Sequence, residues 1–208
     1  MAIKTLFVDP SRCIGCRACE AACRECDSHK GESMVMVDFV DRGSSVATQP
    51  TVCMHCADPV APCAQVCPAQ AILISEEGVV HTADPSRCIA CQNCVYACPF
   101  GVPKFDVEAR LMKKCNLCYD RTVRNQLPWC AQACPTQALW YGDYEEFVAR
   151  GRRGHPVRDF GFGAQEVHTR VFFVMPEQVE RVDVAGMLRQ IKAELGAGAA
   201  QTEEAWVL

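Results

Sequence analysis

Long apolar runs are missing from this chain of 208 residues. The densest, Val171-Phe172-Phe173-Val174-Met175, falls far short of the ~18 residues a membrane helix needs and reads as one strand. Basic excess is missing too: Lys and Arg number 21 against 25 Asp and Glu, and the net charge of −4 leaves no electrostatic footprint for nucleic acid. The sequence contains no phosphate loop, no dinucleotide fingerprint and no nucleophile set beside a base, so substrate chemistry is expected on a partner. No secretory signal stands ahead of the first cysteine motif, and the default expectation is a cytoplasmic location. Cysteine, by contrast, is abundant, with 17 residues. Such a density in a short chain ordinarily marks a disulfide scaffold. The odd count and the recurring Cys-x-x-Cys pairs point to metal ligation instead.

The chain is organised around residues 84–98, which carry Cys88, Cys91, Cys94 and Cys98, followed by Pro99. This spacing resembles the run that holds iron–sulfur clusters in bacterial-type ferredoxins. A tight loop with a thiolate every third residue can wrap one corner of a cubane. The fourth cysteine begins a segment that points away and can ligate a second cluster. The stretch Asp9 to Cys23 repeats the element with Cys13, Cys16, Cys19 and Cys23, offset by 75 positions. A second type of motif runs Cys53-Met54-His55-Cys56 and then Cys63 to Cys67-Pro68. It recurs as Cys115-Asn116-Leu117-Cys118 and then Cys130 to Cys134-Pro135. Self-similarity of this kind decides the architecture before any local signal does.

The ligand accounting closes. Cys26, beside Glu25, Asp27 and His29, which read as solvated, is left over as a spare thiol. The other sixteen cysteines fall into four sets of four, the number that four cubanes require. Structural zinc also uses pairs of Cys-x-x-Cys, but has no use for a third cysteine at the same spacing and a fourth before proline. Between and after the motifs, strands are expected at residues 3–9, 34–40 and 167–175, and a hairpin at 71–81. A short helix is expected at 143–150, a basic and glycine-rich surface loop at 152–166, and helical spacing at 179–195. His55 reads as packing or bonding behind the ligands. Arg12, Arg17, Arg87, Lys113, Lys114 and Arg121 lie beside cluster loops and either raise cluster potentials or form a solvated basic face. Trp129, Trp140 and Tyr141 read as cluster cover or subunit interface rather than electron relays, and His155 and His168 are too isolated to act as ligands.

The order of the motifs, with Cys-Met-His-Cys in the second, Ala97-Cys98-Pro99-Phe100-Gly101-Val102-Pro103 in the third and Lys114-Cys115-Asn116-Leu117-Cys118-Tyr119-Asp120-Arg121 in the fourth, resembles the four-cluster iron–sulfur subunits of molybdopterin oxidoreductases. That family includes subunits of formate dehydrogenases and of dimethyl sulfoxide, polysulfide and nitrate reductases; the wording is closest to the formate dehydrogenase type. The resemblance implies four [4Fe–4S] clusters with exchanged ligands. One would be held by Cys13, Cys16, Cys19 and Cys134, and another by Cys115, Cys118, Cys130 and Cys23. The remaining two would be held by Cys88, Cys91, Cys94 and Cys67, and by Cys53, Cys56, Cys63 and Cys98. It implies an α+β fold of two pseudo-symmetric ferredoxin-like lobes, one inserted in the other. Residues 1–45 and 106–145 would form the first and residues 46–105 the second, with a strand–helix extension at 146–208 for partner docking.

As to function, the resemblance implies a non-catalytic electron-transfer subunit. It would relay electrons between a molybdenum or tungsten pterin catalytic subunit, formate dehydrogenase first, and a further donor or acceptor, a membrane anchor among the options. Export to the periplasm bound to such a partner is the alternative to the cytoplasm. The competing readings are an electron-transfer subunit of a hydrogenase or formate–hydrogen lyase, and a free-standing polyferredoxin.

Overall fold

The computed structural model describes residues 4–41, 45–151, 153–176 and 193. The chain opens with β1 (Thr5–Val8), α1 (Ala18–Cys23), β2 (Met36–Asp41), β3 (Val46–Thr51), β4 (Cys56–Asp58) and α2 (Pro62–Gln65). It continues with β5 (Ile72–Ile74), β6 (Val80–Ala83), α3 (Asn93–Ala97), β7 (Lys104–Asp106), β8 (Leu111–Lys113), α4 (Tyr119–Thr122) and α5 (Trp129–Ala133). It closes with β9 (Leu139–Gly142), α6 (Tyr144–Ala149), β10 (His155–Phe162) and β11 (Gln165–Met175). The architecture is α+β, with very short helices and strands.

The main sheet runs β10-β11-β1-β9, and β4 also pairs with β11. β1 is parallel to β11, with Phe7 opposite Phe172, and antiparallel to β9, with Phe7 opposite Trp140. Side chains alternate across a strand, so this register sorts the sheet into two faces. Leu6, Val8, Leu139 and Val171 pack into a core that also contains Cys19, Cys23, Cys115 and Cys130. On the other face Phe7, Trp140 and Val174 pack with Phe147 of α6. The Phe7 ring stacks on Phe147 at 4.3 Å and on Phe172 at 4.9 Å between centroids. The sheet thus divides an aromatic core from the cysteine-rich one. α6 is started by Asp143, whose carboxylate accepts from the Glu146 N–H at 2.8 Å, a standard N-cap.

Three two-stranded hairpins complete the fold: β2-β3, β5-β6 and β7-β8. The expected strands at 3–9, 34–40 and 167–175, the hairpin at 71–81 and the helix at 143–150 correspond to β1, β2, β11, β5-β6 and α6. The surface loop expected at 152–166 is corrected. Residues His155–Phe162 form β10, an edge strand held by backbone pairing to β11 from His155 opposite Met175 to Phe162 opposite Gln165. β11 sits between β10 and β1 inside the main sheet, so the boundary expected at residue 146 does not interrupt the sheet. The helical spacing at 179–195 lies outside the described residues, apart from 193. Among the described residues no helix is long and apolar enough to cross a membrane.

Candidate iron–sulfur sites

The cysteine loops share an unusual backbone. Gly15 (φ 70) and Ala90 (φ 60) occupy matching positions of the first and third motifs, as do Arg17 (φ 57) and Gln92 (φ 64). His55 (φ 49) and Leu117 (φ 56) match in the second and fourth, as do Gln70 (φ 48) and Gln137 (φ 55). Left-handed conformations cost a non-glycine residue ~1–2 kcal/mol each. They curl the chain so that its N–H groups and thiols face inward. Backbone donors already reach the sulfurs: Ala71 N–H to Cys67 Sγ at 3.3 Å, Met34 N–H to Cys23 Sγ at 3.3 Å, and Leu117 N–H to Cys115 Sγ at 3.4 Å.

Helix packing gathers the motifs. α2 lies on α3, and α1 on α5. Cys67, Cys88, Cys91 and Cys94 line one small cavity, with Ile72, Ala83 and Met112 around them. Cys53, Cys56, Cys63 and Cys98 line a second, with Pro62, Val80 and Lys114. Cys130 lies within electrostatic reach of Cys115 and Cys23, and Cys118 within reach of Cys130 and Cys115. Cys19 is likewise within reach of Cys134 and Cys13. Cys16 is exposed on its loop.

The cysteine groups also lie within electrostatic reach of one another. Cys63 of the second cavity is within reach of Cys94 of the first, Cys115 within reach of Cys53, and Cys130 within reach of Cys19. Among the described residues, the exposed cysteines are Cys91 and Cys16.

These residues fit iron–sulfur clusters. Each cavity is ringed by four soft sulfur donors in an apolar wall, with N–H groups aimed at several of the sulfurs. Among the described residues no three donors converge tightly enough for a single ion, and thiolates around a four-iron cube do stand farther apart than around one zinc. Burial pushes the Cys19, Cys56, Cys63 and Cys115 thiols up to about 12. Iron must therefore displace their protons on binding.

The remaining residues divide sharply. Arg12, Arg17 and Arg87 are exposed, and Arg12 and Arg87 donate to the backbone oxygens of Thr136 and Gln70. Arg121 stacks over Trp129 at 3.7 Å. Lys113 pairs with Glu32 and Asp106 at 2.9 and 2.5 Å. Lys114 is different, because it is fully buried. His55 is buried as well, and accepts the Val80 N–H at Nδ1, 3.0 Å away. Burial first, then Lys114 and Arg170, hold it well below the usual histidine range, so its ring is neutral.

Cys26 also departs from expectation. Its neighbours Glu25 and Asp27 are exposed as expected, but Cys26 itself is fully buried, near Asn116 and Asp120, and His29 is buried too. A hydrogen bond between Cys26 and Cys118 holds the Cys118 thiol up and the Cys26 thiol down. Sequence reasoning could not see this contact, because the partners come from motifs some ninety residues apart.

Residues 44–144 match the family described as 4Fe-4S dicluster domain, and residues 6–25 the 4Fe-4S binding domain. The chain is 40% identical over 146 residues to the thiosulfate reductase electron transfer subunit of Salmonella typhi, covering 66% of this chain and 74% of that one. It is 34% identical over 153 residues to the B subunit of the anaerobic dimethyl sulfoxide reductase of Escherichia coli, covering 67% and 73%. It is 33% identical over 160 residues to the formate dehydrogenase-O iron-sulfur subunit of Escherichia coli, covering 67% and 53%. Fold, cysteine sites and matches together define an electron-transfer protein that carries [4Fe–4S] clusters. The chain belongs to the iron–sulfur subunits of molybdopterin oxidoreductases.

Proposed function

We propose that the chain holds four [4Fe–4S] clusters and conducts electrons between a molybdenum or tungsten pterin catalytic subunit and a second redox partner. The ligand sets are Cys13, Cys16, Cys19 and Cys134; Cys115, Cys118, Cys130 and Cys23; Cys53, Cys56, Cys63 and Cys98; and Cys88, Cys91, Cys94 and Cys67. The observation that carries this reading is that cysteines from different motifs gather into two lined cavities and lie within electrostatic reach of the remaining cysteines, with Cys16 and Cys91 exposed. A conductor needs a surface at both ends and insulation between them. The clusters supply one-electron transfer; the chain fixes their spacing, donates N–H groups to their sulfurs and keeps water from the inner pair. The packing of α1 on α5 and of α2 on α3 supports two interlocked ferredoxin-like lobes, residues 1–45 with 106–145 and residues 46–105.

For the catalytic partner, the wording of the motifs favours formate dehydrogenase. A second reading, a thiosulfate- or sulfoxide-reducing enzyme, is favoured by the higher identity to the thiosulfate reductase subunit, 40% against 33%. The test is anaerobic capture of the tagged chain from its own host, with metal analysis, mass spectrometry and fractionation of the compartments. A pterin-binding chain with molybdenum or tungsten is expected, and its substrate separates the two readings. Nickel in the complex would move the chain to a hydrogenase, and a partnerless iron–sulfur chain would make it a free polyferredoxin.

A further inference from the structure

Lys114 is fully buried, and its ammonium nitrogen has three acceptors: the Sγ of Cys53 at 3.4 Å, the carbonyl oxygen of Cys115 at 2.8 Å and the carbonyl oxygen of Val80. An ammonium has three N–H donors, and here each has one partner. Two of the three partners belong to cysteines of different groups, Cys53 in the second cavity and Cys115 in the neighbouring set. The side chain lines the wall of the Cys53 cavity, and its own backbone precedes Cys115. It therefore stands at the junction of the two inner sites.

Taking a cation out of water is costly unless an opposite charge answers it. Among the described residues no carboxylate forms an ion pair with Lys114. His55, packed nearby, is neutral and Arg170 is itself cationic. The groups within its reach able to carry negative charge are the thiolates of Cys53, which it contacts, and of Cys63 and Cys115, and a cluster held by four thiolates is a net anion that becomes more negative when reduced.

We infer that Lys114 is the shared counter-charge of the two inner clusters, a positioning residue that raises both their potentials together and so makes the middle of the conductor accept electrons more readily than it would with a neutral side chain. The inference rests on the cluster reading above. Hydrogen bonds to the sulfurs and net charge around a cluster are two of the established determinants of its potential. Lys114 supplies both to the Cys53 site and the charge alone to the Cys115 site. The two outer sites are beyond its hydrogen bonds and farther from its charge, so its effect is largest on the inner pair.

The experiment is an anaerobic redox titration of the full chain with its clusters, followed by electron paramagnetic resonance, for wild type, Lys114→Met and Lys114→Arg. Iron and sulfide analysis of wild type comes first; a wild-type chain without clusters overturns the parent reading, and this inference falls with it. With clusters present, two of the four midpoints are expected to move to more negative values in Lys114→Met. The other two should move clearly less, and Lys114→Arg should keep the shifted pair near wild type. Four unmoved midpoints, or four that move alike, would overturn the inference. Should Lys114→Met fail to assemble the inner clusters while Lys114→Arg assembles them, the counter-charge role is upheld at the level of assembly. Failure of both variants to assemble would reduce Lys114 to a packing role and overturn it.

Discussion

The Nε2 atom of His29 lies 3.2 Å from the Sγ of Cys23, with both side chains buried. Ser28 Oγ stands 2.9 Å from the other ring nitrogen. Burial works against the charged ring, but hydrogen bonds to Cys23 and Cys26 prevail and push the His29 pKa up to about 9, so the ring carries a proton on Nε2, facing the sulfur. Cys23 therefore receives two hydrogen bonds, from His29 and from the Met34 N–H. Donors to a ligand sulfur raise a cluster's potential. His29→Phe is expected to shift one midpoint to more negative values with no loss of iron, as read by redox titration; an unchanged set of midpoints would leave His29 a packing residue.

The seventeenth cysteine offers a direct check on the ligand accounting. Cys26→Ala should retain the full complement of about sixteen iron and sixteen sulfide per chain, whereas Cys118→Ala should lose roughly a quarter of it. Both side chains are buried and adjacent, so a difference between them reports ligation rather than packing. Loss of iron in Cys26→Ala would show that the accounting is wrong.

Phe7 stacks against Phe147 and Phe172 on the sheet face turned away from the cysteines. Truncation of a buried phenylalanine costs about 3–5 kcal/mol. Phe7→Ala should lower the thermal midpoint of the folded chain substantially, yet leave the resonance spectrum of the assembled clusters unchanged. Phe7→Leu should recover part of the loss.

Gly15 and Ala90 hold the same place in two loops but tolerate different residues. A Cβ added at Gly15 would lie 2.9 Å from Thr48 Cγ2 and 3.2 Å from the Phe39 ring, besides the left-handed penalty of ~1–2 kcal/mol. Gly15→Ala is expected to lower cluster occupancy in the Cys13 loop. Ala90→Gly relieves the same penalty at φ 60 and should leave its site filled. Equal effects would mean that the contact with Thr48 and Phe39 is soft.

Small lobes bury little apolar surface, so iron should supply much of the folding free energy. Removal of the iron by a chelator is expected to unfold the chain cooperatively, as followed by circular dichroism. Acid should have the same effect before alkali does. The buried thiols are pushed up to about 12, so protons compete well for them. As pH falls the competition strengthens, iron is lost, and stability is lost with it. A spectrum unchanged after iron removal would show that the protein scaffold stands alone.

The cysteine motifs were legible because their information is local, with spacing and a following proline sufficient to mark each loop. β1, the hairpin of β5 and β6 and the helix capped by Asp143 were legible for the same reason. β10 was not, because an edge strand reading His155-Pro156-Val157-Arg158-Asp159-Phe160-Gly161-Phe162 has little alternation of its own and takes its form from β11. β3 hid behind its polar residues and Pro50, and is held by pairing to β2. The burial of Lys114 and Cys26 was illegible in principle. Charge beside a cysteine looks like surface until Val80 and Cys53 arrive from elsewhere in the chain.

Cys16 and Cys91 are the exposed thiols, while Cys23, Cys63, Cys115 and Cys130 are enclosed. Oxidants attack sulfur from the solvent side, in proportion to its exposure. Damage by air is therefore expected to begin at Cys16 and Cys91. In the four-cluster conductor proposed above, air would sever the connections before it reached the contents: the protein would stay brown after it had ceased to conduct.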